Sequence, residues 1–84
     1  MTKAQELEAA ARGEGCLGRS QDDEPVFVLC ARDPVAASVV REWAQHYYRV
    51  KSVRGALTLE QQKKYAEAIA LADRMDEWAA ARVG

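Results

Sequence analysis

The sequence predicts a mainly α domain of three helices, the last two folded as an antiparallel hairpin, with one short extended segment. Three observations carry this. The run from Asp33 to Trp43 opens a helix cleanly: Asp33 is a side-chain cap, and Pro34 at the first helical position has its φ preset and gives up no needed hydrogen bond. The order Thr58-Leu-Glu-Gln61 is a capping box that opens another helix. Only a short link containing Gly55 separates the two, which favours neighbours packed antiparallel.

The first helix runs from a Thr2 cap to about Arg12 and is ended by Gly13. Residues 13–25 hold glycines, Pro25 and four acids, and read as a flexible, irregular, acidic loop. Val26-Phe27-Val28-Leu29 is β-branched and aromatic, bounded by Pro25 and the Arg32-Asp33-Pro34 turn, and reads as a buried extended segment in need of a strand partner. The second helix spans Pro34 to about Val53. With each residue advancing 100°, Ala36, Val39, Val40, Trp43, Tyr47 and Val50 fall within an arc of about 100° that forms the core face. The third helix runs to about Ala81 with Leu71, Ala72, Met75, Trp78 and Ala79 on one side, widened by Tyr65 and Ile69. Trp43 and Trp78 are thereby expected in the core.

Eighty-four residues allow one domain, 1–84, with a small core. The formal charge of −1 supplies no long-range field for nucleic acid or an acidic membrane. Its distribution is uneven: residues 1–33 sum to −3, 34–58 to +3 and 59–84 to −1. The N-terminus has no apolar targeting core, and the longest apolar run, Val26 to Ala31, is far short of the ~20 residues that span a bilayer. These features point to a cytoplasmic protein without a membrane partner.

Few residues offer chemistry. Cys16 and Cys30 are the only cysteines, too few for a disulfide scaffold and without the close pairing of a zinc site. They read as reduced thiols, Cys16 half-buried in the loop and Cys30 in the core. His46, the single histidine, sits on the edge of the core face and reads as a solvent-edge side chain rather than a ligand. Asp22, Asp23 and Glu24 lack the alternating donors of a calcium loop and read as a solvated loop or an acidic contact surface. No enzyme, cofactor or metal is expected. Arg41, Arg49, Lys51 and Arg54 make the middle of the chain basic, but their helical angles scatter them, so a groove-reading helix is poorly supported and a small DNA-binding regulator is the alternative reading. Tyr48 projects from the polar face with Arg41, Gln45 and Arg49, a composition found at interface hot spots and equally on a surface covered by the first helix.

The string Cys16-Leu-Gly-Arg-Ser-Gln-Asp-Asp-Glu24-Pro-Val-Phe-Val-Leu29, with Asp33-Pro34, Val40-Arg-Glu-Trp-Ala44 and the ending Ala68-Ile-Ala-Leu-Ala-Asp-Arg-Met-Asp-Glu-Trp78, resembles small accessory proteins of phages and prophages. The resemblance spans about residues 16–78 and assigns no catalytic residue. It implies a protein that binds and inhibits a host or defence protein of a bacterium, as anti-CRISPR proteins do, by steric occlusion. The contact residues would be Asp22, Asp23, Glu24, Arg41, Gln45, Tyr48 and Arg49. A small core and a lone strand further predict a homodimer, paired through Val26–Leu29 or the flank of the second helix.

Overall fold

The molecule is mainly α-helical. The computed structural model describes residues 1–82. Helix α1 (Lys3–Ala11) begins with Thr2, whose hydroxyl accepts the Gln5 backbone N–H at 3.2 Å, while the Gln5 side chain accepts the Thr2 N–H at 2.9 Å. It ends where Gly13, at φ 72°, donates to the Ala10 carbonyl and Glu14 donates to that of Ala9, a Schellman closure that a residue with a Cβ would strain.

The loop expected over 13–25 holds a short helix, α2 (Gly15–Arg19). Close approach explains it. A Cβ at Gly18 would lie 2.8 Å from the Gly13 backbone and 3.1 Å from the Ala10 Cα, so glycine here lets α2 press directly against α1. Ala9 is buried by this contact. Glycine density marked a packing site that composition alone reads as disorder.

Helix α3 (Ala36–Lys51) begins two residues later and ends two earlier than the periodicity suggests. Asp33, expected to cap the helix, caps the turn before it, and the N-cap of α3 is Val35 without a side-chain bond: the Asp33 carboxylate accepts the Val35 N–H at 3.0 Å and its carbonyl accepts the Ala36 N–H at 3.0 Å. That first turn is tighter than an α-helix, and regular bonding starts only with Val39 donating to Val35. Helix α4 (Leu59–Ala80) opens on the expected capping box, with Thr58 and Gln61 exchanging bonds of 3.0 and 3.1 Å.

Helices α3 and α4 pack along their length. Their contacts run in opposite order, Arg41 with Asp73 and Asp76 and Tyr48 with Tyr65, so the pair is antiparallel. Small residues form its core. Ala36, Ala44 and Ala72 are fully buried, and Ala37 and Leu57 nearly so. Trp43 and Trp78, expected in the core, are 45 % and 42 % exposed. Val39 and Val50 are exposed too, because the α3 contact face is turned toward Ala37 and Ala44: alanine at these positions draws the helix axes together, and Trp43, near the middle of the expected arc, is left on the flank. There Trp43 stacks on Tyr47 at 5.1 Å, and the Arg82 guanidinium lies 3.7 Å above the Trp78 ring.

The burial expected of the segment Val26–Leu29 is not found. Among the described residues there is no strand, Phe27 is 85 % exposed, and only Leu29 is half-buried. Cys16 and Cys30 are both exposed rather than half-buried and buried. Among the described residues, helix packing is confined to the pairs α1 with α2 and α3 with α4. The result is elongated, 46 × 30 × 21 Å.

Candidate functional site

The predicted contact residues fall into two separate patches. Asp22, Asp23 and Glu24 lie in the exposed loop between α2 and α3. The loop turns tightly there: Glu24 donates its backbone N–H to the Gln21 carbonyl, and its carboxylate accepts the Gln21 N–H, each at 3.1 Å. Glu24 is thereby partly engaged by its own backbone, while Asp22 and Asp23 face solvent. Gln45, Tyr48 and Arg49 sit in the last turns of α3. From Ala36 to Tyr48 the helix rises about 18 Å, so this patch lies at the C-terminal end of α3, while the acidic loop precedes the helix in the chain.

Arg41 belongs to neither patch. Its Nη2 donates to Asp73 at 2.8 Å and to Asp76 at 2.6 Å, tying α3 to α4. Those two hydrogen bonds, the one to Asp73 first, raise the guanidinium pKa above its ordinary value. Helical angle placed Arg41 with Tyr48 on the polar face; the reach of its side chain brings its charge back to α4. Tyr48 is half-exposed, and its ring leans on Tyr65 at 5.3 Å. It lies on α4, not beneath α1, so the ring is held while its outer surface stays open. Gln45 and Arg49 beside it are exposed.

Sequence reasoning missed a cluster of aromatic rings and cations. Lys64 sits 5.8 Å from the Trp43 ring and 5.6 Å from that of Tyr47, and Lys51 lies 5.8 Å from Tyr47. The spacings Trp43 to Tyr47 and Tyr47 to Lys51, each one helical turn, were the readable signal. Lys64 arrives from α4 and needed the tertiary register. Trp43 and Lys64 also line an open groove of about 900 Å3 against Ala9, Glu14, Leu71 and Arg74. Its walls carry charges of both signs, Glu6, Glu8, Glu14 and Arg12 on one side and Lys64, Arg74 and Glu67 on the other.

His46 stands exposed on α3. Among the described residues no three His, Cys, Asp or Glu side chains are grouped to hold a metal ion, and no helix is long and apolar enough to cross a membrane. Chemically, the surface offers an aromatic anchor with polar neighbours, an acidic turn and an exposed apolar run. Compared with known proteins, the chain matches no family model, no curated protein and no solved structure.

Proposed function

We propose that this chain is a small, non-enzymatic protein-binding module, and more specifically a phage-encoded inhibitor that occludes the surface of a bacterial defence or regulatory complex in the host cytoplasm. The observation that carries the binding role is Tyr48, propped on Tyr65 and flanked by Gln45 and Arg49 on α3. A half-exposed tyrosine already fixed by a neighbouring ring loses little conformational freedom on binding, and tyrosine and arginine are the residues enriched at energetic centres of interfaces. Asp22 and Asp23 supply a separate acidic contact for a basic partner. The inhibitor role rests on the sequence resemblance over residues 16–78.

The experiment is phage challenge of bacteria with an active CRISPR system, with the chain expressed in the host. Wild type should restore plaquing by orders of magnitude, and Tyr48→Ala with Arg49→Glu should abolish the rescue while leaving the helical circular dichroism intact. No rescue against any tested system removes the inhibitor reading. Binding to duplex DNA whose affinity falls steeply with salt would favour the DNA-regulator alternative.

A further inference from the structure

We infer that the segment Val26–Leu29 is the self-association element of this protein, adding as an antiparallel strand to the same segment of a second copy with Phe27 opposite Phe27. The inference uses a surface separate from the Tyr48 patch.

The segment is exposed and unsatisfied. Among the described residues, no hydrogen bond from backbone or side chain reaches the backbone of Val26, Phe27, Val28 or Leu29. Phe27 and Val28 are 85 % and 71 % exposed. A row of free N–H and C=O groups bearing β-branched and aromatic side chains is a template for another strand.

The neighbours select the register. In an antiparallel pair, hydrogen-bonded and non-bonded residue pairs alternate, and a two-fold axis places one residue opposite its own copy. Pro25 has no N–H, so it must fall at a non-bonded position. With Phe27 on the axis, Pro25 meets Leu29 at such a position, and Val26 and Val28 exchange both their backbone bonds. A register centred on Val28 would instead require the Cys30 carbonyl and the Glu24 N–H. Those groups are already engaged, the first by Asp33 at 2.9 Å and the second by Gln21 at 3.1 Å. In the Phe27 register those two groups meet only at the outer Glu24–Cys30 pair, and the Val26–Val28 exchanges on both sides of the axis use free groups.

Charge and area both favour a second copy. Acids precede the run and Arg32 follows it, so antiparallel pairing brings Asp22 and Glu24 of each chain toward the Arg32 end of the other. A folded monomer of 9.3 kDa exposes about 5,000 Å2 by the scaling of surface with mass. This chain exposes 6897 Å2, an excess of about 1,900 Å2 against the roughly 800 Å2 that each partner contributes to a standard interface. Its radius of gyration, 14.3 Å, likewise exceeds the about 12 Å of a compact chain this long. A two-stranded ribbon also needs a surface to lie on. An apolar groove of about 450 Å3, lined by Pro34, Ala37, Met75 and Trp78, begins where the segment ends.

The test places single cysteines in a Cys16→Ser, Cys30→Ser background. Phe27→Cys should cross-link to a dimer on mild oxidation, since paired Cα atoms at a non-bonded position lie within disulfide reach. Val26→Cys and Val28→Cys should not, because each is displaced from its own copy by two residues along the strand. Light scattering of the unmodified chain should give about twice 9.3 kDa, falling to the monomer mass on dilution and in Val28→Pro. Circular dichroism checks that every variant keeps its helices. A monomeric mass at hundreds of micromolar, or equal cross-linking at all three positions, overturns the inference. A dimer that persists in Val28→Pro places the interface elsewhere and overturns it too.

Discussion

At Gly18 a single hydrogen decides whether two helices meet. A methyl group there would collide with main-chain atoms of Gly13 and Ala10 that cannot swing aside as a side chain would. Gly18→Ala should therefore cost about 1–3 kcal/mol, the range for overpacking, despite the higher helix propensity of alanine. Amide exchange of Ala9 and Ala10 rising in this variant, with α4 unaffected, is the expected reading. Arg41 is a different case, because a charge pair this open to solvent contributes little. Its raised pKa means that its contribution is lost as pH rises through the guanidinium value and is present below it as long as the Asp73 and Asp76 carboxylates are ionised. Arg41→Met should lower the melting temperature slightly at neutral pH, where Asp73 and Asp76 are left without their shared cation, and its effect should shrink in high salt. Trp43→Ala belongs at the same scale. A half-exposed ring forfeits less than the 3–5 kcal/mol of a buried tryptophan, and about 2 kcal/mol is expected from lost stacking on Tyr47 and lost apolar contact.

Elements in this chain are set by their ends and joined by small residues. Thr58→Ala breaks the capping box of α4 and should lower stability by about 1 kcal/mol, readable as a shifted denaturant midpoint with unchanged slope. Ala44→Leu tests the alanine seam. Four heavy side-chain atoms in place of one, at a fully buried contact, should separate α3 from α4 or unfold the hairpin. A variant that melts like wild type would show that the helices are held by their flanking rings instead. The start of α3 shows how a correct cap can still misplace a boundary: Asp33 caps as its residue type suggests, yet the turn it caps is bonded at shorter range than the helix that follows.

Viewed whole, the molecule is two small helix pairs that barely meet, with its largest side chains on their outer surfaces. An 84-residue chain has little stability to spare, and apolar surface left outside favours association. Phe27→Glu separates two outcomes. Because Phe27 makes no core contact in the isolated chain, the variant should stay folded and become monomeric at every concentration. Loss of helicity in that variant would mean that the ring is buried within its own protomer.

The sequence by itself determined where α1 and α4 begin and where α1 ends, because caps and glycines act through bonds to atoms a few residues away: Thr2, Thr58 and the stop at Gly13 were readable, while the start of α3 was misplaced by two residues and α2 was not foreseen. It also gave the antiparallel order of the hairpin, since a short link leaves few alternatives, but it set the α3 core face on Val39, Trp43 and Val50, which are exposed, and not on Ala37 and Ala44, which are buried. The candidate contact residues were readable as a set of residue types but not as a place. Tertiary structure alone decided that Arg41 is tied to α4 while Tyr48 and Arg49 stay on the outside, and that both tryptophans lie on flanks. The physical reason is common to both. Helical angle gives the direction in which a Cβ leaves the axis, whereas exposure depends on how near the next helix comes, and that distance is set by the alanines of the partner element.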